Sequence, residues 1–323
     1  MTNRNAGGSI RMYCNKYVFA SAVILTAAGA LGCGEATTPA AALVTGEYGI
    51  TDIAVDDFFL YYAKADGTIK RVSLDGGPST TILSGLNDPR HIALDATDVY
   101  CATLSGTVVR GPKTGGDPIT LIEGEDKPQD LDVDDTHVYF TVRKNETGAL
   151  RRLSKADFVV ETLASNQSKP GPLARRLDRL YWANEGIKTK DGEVTGALLE
   201  MPIGGATPTT MAGAQDAPVS VAADDSFIYW ANFGEKTVKR TTPGGDDVRV
   251  VAVDQPLLHK VAGDALNVYW TSLDGTLSMG SVDGGSEPVV LSTGAAGPIS
   301  LVLDAFSIYS ANFEAGTVVV RPK

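Results

Sequence analysis

The chain has 323 residues, 43% of them hydrophobic but only 7% aromatic, with 35 glycines. Its 39 acidic against 28 basic residues give a formal net charge of −11. That balance excludes a basic, phosphate-binding surface, and nucleic acid with it, and favours a self-repelling, soluble exterior.

The first predicted element is a targeting segment. Arg4, Arg11 and Lys16 form a basic region ahead of an apolar run from Tyr17 to Leu31. That run is shorter than the roughly 20 residues a membrane-spanning helix needs and suits the apolar part of a signal peptide. Met12 is an alternative start, since Lys16 alone would still supply positive charge. The run ends in Ala30-Leu31-Gly32-Cys33, which resembles the lipobox of bacterial lipoproteins. The resemblance implies cleavage after residue 32 and lipidation of Cys33. Gly34 follows, where an Asp would resemble an inner-membrane retention signal, so the expected address is the outer membrane of the cell envelope. Residues 33–41 read as a flexible tether, and 42–323 as the folded domain. Cys14 leaves with the signal and Cys33 carries lipid, so Cys101 has no partner for a disulfide despite an oxidising compartment.

From residue 50 a unit of about 40 residues recurs. Its marker tyrosines are Tyr61, Tyr100, Tyr139, Tyr181, Tyr229, Tyr269 and Tyr309, with spacings of 39, 39, 42, 48, 40 and 40. The next residue is Tyr62, Cys101, Phe140, Trp182, Trp230, Trp270 or Ser310, which accounts for all three tryptophans. Five residues before each Tyr stands Asp56, Asp95, Asp134, Asp224, Asp264 or Asp304, with Arg176 in the fourth unit. A Gly after the Tyr opens the next strand in every unit except the fifth, where Lys236 replaces it. Paired glycines such as Gly76-Gly77 and Gly244-Gly245 then mark hairpin turns, which favour positive φ. Each unit thus holds four short strands, one propeller blade. The Asp is expected to cap the turn between first and second strands.

The expected fold is therefore an all-β propeller of four-stranded blades. Six units are complete, and the seventh stops after three strands. The piece Ala42-Leu43-Val44-Thr45 precedes the first unit and would supply the missing strand, giving seven blades with a closed ring; six blades is the alternative. The Tyr-Trp pair, the preceding Asp and the Gly-Gly turn resemble YWTD and NHL-type propeller repeats. They resemble still more the repeats of bacterial propeller lipoproteins common in myxobacteria. The matching stretches include IYWANFGEKTVKRTTPGG and VYWTSLDGTLSMGSVDGG. The resemblance covers residues 50–323 and implies binding or scaffolding. The tetrapeptides YWAN and YWTS depart from YWTD itself, so receptor-type function does not carry over.

Functional residues are expected where first strands begin, at the mouth of the central channel. The position four before the repeat Asp reads Asp52, His91, Asp130, Pro172, Ser220, Lys260 and Ser300. The position before that includes Arg90, Gln129 and His259. Asp52, Arg90, His91, Gln129, Asp130, His259 and Lys260 are the binding candidates. Asp52, His91 and Asp130 stand in register on three consecutive blades, and two carboxylates about an imidazole could take a divalent cation or act as an acid–base group. A ring of solvated polar side chains is the simpler account of that row, and no other cofactor is implied. No nucleophile elbow, P-loop, HExxH or paired CxxC occurs. The fourth unit carries an insertion near residues 184–195, NEGIKTKDGEVT. Function is expected to be ligand binding or scaffolding by a monomer held to the membrane through its lipid, with a protein or small molecule as partner. A propeller enzyme, a metal-dependent lactonase, hydrolase or lyase, is the alternative.

Overall fold

In the computed structural model, residues 40–323 are described; the signal segment 1–32, Cys33 with its lipidation, and most of the tether lie outside them. Seven antiparallel sheets of four strands each follow one another along the chain, with no α-helix among the described residues. The blades span residues 50–83, 89–122, 128–168, 170–215, 218–252, 258–292 and 298–322. The first strand of each blade contacts the first strands of its two neighbours, and the contact of Ile50–Val55 with Pro298–Leu303 closes the ring. The seventh blade is completed by Ala41–Val44, which pairs antiparallel with Thr317–Pro322. A strand from the start of the domain is thus zipped onto its end, so the seven-blade expectation holds and the six-blade one falls away. Closure removes the free sheet edge an open array would expose.

The marker residues divide the interblade space between them. Tyr269 packs toward the seventh blade with Leu301 and Ile308, whereas Trp270 packs back on the fifth with Tyr229 and Val238. Successive strand residues point to opposite faces, so one dipeptide serves two interfaces. Each large ring is fully buried and contributes on the order of 2–3 kcal/mol of burial.

The repeat Asp does what the sequence indicates and something more. In the first blade Asp56 Oδ1 accepts the backbone N–H groups of Phe58 and Phe59 at 3.0 and 2.9 Å. Its second oxygen accepts the Tyr61 hydroxyl at 3.0 Å. The same Tyr-to-Asp bond recurs at Asp95, Asp134, Asp224 and Asp304. The carboxylates also pin blades together: Lys113 reaches back to Asp56 at 3.0 Å, Lys155 to Asp95 at 2.6 Å and Lys323 to Asp264 at 3.0 Å. Where the fourth blade has Arg176 instead, that guanidinium pairs with Asp225 of the fifth. Lys236, standing in for the repeat Gly, keeps the left-handed conformation with φ 57°.

Candidate functional site

Every first strand breaks its register with the second near its start, between Ile50 and Asp52, Pro89 and His91, Pro128 and Asp130, Pro170 and Leu173, Pro218 and Ser220, Leu258 and Lys260, and Pro298 and Ser300. A bulge leaves one residue unpaired and re-aims its side chain. The bulged residues include Arg90, Gln129 and His259, three of the seven predicted site residues. The prolines fit here because the strand gives up a ladder N–H at its start.

The structure gathers most of the candidates. His91, Gln129, Asp130, His259 and Lys260 line one cavity of about 230 Å³ at the channel mouth, together with Arg143 and Glu185. Asp52 lines a second channel cavity of about 350 Å³, which Asp130 and Lys260 also line. Arg90 turns to Asp88, 3.0 Å away, and is not part of the mouth cavity lining. His91 Nδ1 lies 3.8 Å from Asp52 and 3.6 Å from Asp130, too far for a hydrogen bond to either.

The carboxylates are already engaged. Asp52 Oδ2 accepts the N–H of Ile92 on the next blade at 3.0 Å, and Oδ1 accepts the Ser300 hydroxyl at 2.7 Å. Asp130 accepts from Leu131 at 2.9 Å and from Leu173 on the next blade at 3.0 Å. Ser220 takes the N–H of Val261 in the same way at 3.1 Å. These side chains are staples between neighbouring first strands. Among the described residues no group of three or more His, Cys, Asp or Glu side chains is arranged to hold a metal ion. Asp52, His91 and Asp130 do come together, with the oxygens of both carboxylates already accepting hydrogen bonds and Nδ1 of His91 without a partner.

The mouth keeps unspent polarity on the imidazoles. Nδ1 of both His91 and His259 is buried without a hydrogen-bond partner. Burial, and then the positive charge of Lys260, push the His259 imidazole down to about 4, so it is neutral at pH 7. Deeper in the third blade, burial pushes Asp132 up to about 6 against the pull of Arg175.

Arg143 and Glu185 escaped the sequence reading. Arg143 donates to the carbonyls of Pro170 and Lys169 at 3.2 and 3.0 Å and to Glu185 at 2.8 Å. Glu185 is the second residue of the fourth-blade insertion, so that loop delivers a charged group to the mouth. The insertion folds back on itself through a bridge between Lys188 and Val194. The signal was present in the insertion; its direction was not. Cys101 is buried as expected, its thiol pushed up by burial and therefore inert.

No family model matches the chain, and no curated protein sequence matches it. Its fold is similar to several solved structures. Hydrazine synthase from Kuenenia stuttgartiensis superposes with a TM-score of 0.73 at 13% identity, covering 91% of this chain and 99% of that one. A catalytically inactive virginiamycin B lyase from Staphylococcus aureus, solved with quinupristin, gives 0.70 at 15%, covering 88% and 98%. The WD40 propeller domain of Doa1 gives 0.68 at 16%, covering 88% and 96%. At such identities the likeness establishes the propeller and nothing about its chemistry.

Proposed function

We propose that this chain is a lipid-anchored envelope propeller that binds a small polar ligand at one mouth of its channel. One observation carries the binding reading: His91, Gln129, Asp130, His259 and Lys260 converge, with Arg143 and Glu185, on a single cavity. Its lining brings an ammonium, a carboxamide and two imidazoles beside the Asp130 carboxylate and the Arg143–Glu185 ion pair. Concave sites with a few convergent polar groups are the usual form of a small-molecule site. A ligand bearing both acidic and basic groups matches that lining best. The test is to extract the purified chain for bound metabolites and compare it with a His91→Ala/Lys260→Ala variant. A compound retained by the parent and lost by the variant supports the reading; equal retention, or none by either, refutes it.

The basic region, the apolar run and Cys33 support the anchored address. Several acyl chains on one cysteine would hold the protein firmly, where one gives marginal binding. Cys33→Ser should move the protein from the membrane to the soluble envelope fraction; unchanged fractionation would remove the anchor from the proposal.

A second reading, catalysis at the same mouth, is favoured by His259 alone. A neutral imidazole with an unpartnered nitrogen in a half-buried cavity has the form of a general base. The corresponding enzyme would be a lactonase, hydrolase or lyase. Turnover of a cyclic ester that disappears in His259→Gln would decide for it over simple binding.

A further inference from the structure

We infer that the cleft between the sixth and seventh blades is a second binding site, built for a flat aromatic molecule about the size of indole. The residue after the marker Tyr fills the space toward the preceding blade. Five of the seven blades fill it with a ring: Tyr62, Phe140, Trp182, Trp230 and Trp270, all 0% exposed. In the three Trp blades a glutamine fifteen residues earlier accepts the indole N–H, from Trp182 to Gln167, Trp230 to Gln215 and Trp270 to Gln255. The second blade has Cys101 in the ring position, and its glutamine position holds Leu86, which packs on the cluster that contains Cys101. The loss of one side chain is compensated by the other.

The seventh blade lacks both. Ser310 occupies the ring position and Ala295 the glutamine position, and both line a cavity of about 360 Å³. Ser310 retains 7% exposure, so the space is reachable from solvent. Leu277, Ile308 and Val319 supply apolar walls, and buried Asn312 lies in the lining. Asn312 Oδ1 has no hydrogen-bond partner, as is also true of Asn184 and Asn232 in the filled Trp blades, while its Nδ2 donates to Thr317 at 2.9 Å. In the fifth blade the equivalent Asn232 gives its Nδ2 to Gln215 as well. Asn312 has lost that partner along with the glutamine.

The cleft therefore keeps the shape of a slot that elsewhere takes a ring, with the ring left out. Its volume falls at the lower end of the range for small-molecule pockets, about 300–1,000 Å³. Apolar cavities of only about 150 Å³ already take up benzene. A flat apolar ring with one N–H finds walls on both faces and an acceptor in Asn312. Aliphatic chains would forgo the stacking space between the facing sheets.

The test uses indole itself and the full-length chain. Calorimetric titration should show saturable binding of one indole per chain, with a rise in melting temperature. Ser310→Trp combined with Ala295→Gln supplies ring and acceptor from within; it should raise the melting temperature unaided and weaken indole binding about tenfold or more. His259→Gln, at the channel mouth, should leave indole binding unchanged. No saturable heat with the parent chain, undiminished binding by the filled variant, or loss of binding in His259→Gln would each overturn the proposal. Should the double variant fail the circular-dichroism check for folding, amide shifts of the parent chain decide. Indole must then perturb Ala295, Ser310 and Thr276, and shifts centred elsewhere sink the idea.

Discussion

The side-chain oxygen of Gln215 accepts the indole N–H of Trp230 at 2.9 Å while also taking an N–H from Asn232 at 2.9 Å. One carboxamide on the outermost strand of the fourth blade thus satisfies two buried donors of the fifth. Gln215→Leu leaves the Trp230 N–H unanswered, while Asn232 keeps its contacts to Glu235 and Thr237, and is expected to cost roughly 1–3 kcal/mol, the cost of one buried orphan. The matching Gln255 accepts from Trp270 in a less buried setting, so Gln255→Leu should cost less. Urea denaturation of the two variants side by side checks both the size and the order.

The mouth histidine makes stability depend on pH in a defined window. His259 is held at about 4 in the folded chain by burial and by Lys260, against about 6.5 when unfolded. The unfolded chain therefore takes up a proton between those values that the folded chain refuses, and stability rises with pH from about 4 to 6.5. His259→Gln removes this contribution. The variant should gain on the parent by about 1–2 kcal/mol at pH 5 and show no such gain at pH 8. Denaturant midpoints measured at the two values would show it; an equal gain at both would mean that His259 is not held neutral.

Acid should act on the interblade pins in the opposite sense of shift. Burial raises Asp95, but Lys155, Tyr100 and the N–H groups of Asp98 and Thr97 together outweigh it and hold the carboxyl well below the usual carboxylate range. A lowered carboxylate contributes stability that is present above the unfolded value, about 3.9, and is lost as pH falls through the folded one. Asp95→Asn should cost about 3 kcal/mol at pH 7, because it strands the Lys155 ammonium, of which only 9% is exposed. Between pH 4 and pH 2 the variant should lose less stability than the parent. Parallel acid titrations followed by circular dichroism test this.

Backbone conformation gives a fourth prediction. Gly106 has φ 89°, and a Cβ there would sit 2.2 Å from the backbone oxygen of Glu125. Gly106→Ala should therefore destabilise by roughly 2 kcal/mol or more, combining left-handed strain with a clash against backbone. At Lys236, by contrast, the left-handed conformation already carries a side chain. Lys236→Gly should raise stability by about 0.5–1 kcal/mol. Thermal melts of the two variants should move in opposite directions.

How much of this could be seen in the chain alone differs by feature. Asp56, Tyr61 and their equivalents were legible because a repeat exposes architecture: seven copies of one solution show which residues the solution needs. The closing role expected of residues 42–45 followed from counting strands, and the zipped edge at Ala41–Val44 bears it out. The staples were not legible. Asp52 and Asp130 have the look of ligands in sequence, yet one oxygen of each accepts an N–H of the neighbouring blade. Register between blades lies in no local pattern. The bulges that turn Gln129 and His259 to the mouth were hidden as well, with only the prolines hinting at an irregular strand start. Gln167, Gln215 and Gln255 did leave a signal, because each stands fifteen residues before a Trp and the non-Trp units lack it.

The sequence by itself determined the four-stranded blade and pointed to seven of them in a closed ring, because strand alternation, turn glycines and buried rings act over short stretches that repeat. Only the tertiary structure decided which polar groups are free. Whether a carboxylate is a ligand or a staple, or whether a small residue leaves a gap, depends on what the next blade brings to meet it. Cys101 is met by Leu86 and the space is filled; Ser310 faces Ala295 and the space stays open. That difference between two small residues in one repeat position rests on contacts across the ring, which the spacing of the repeat cannot record.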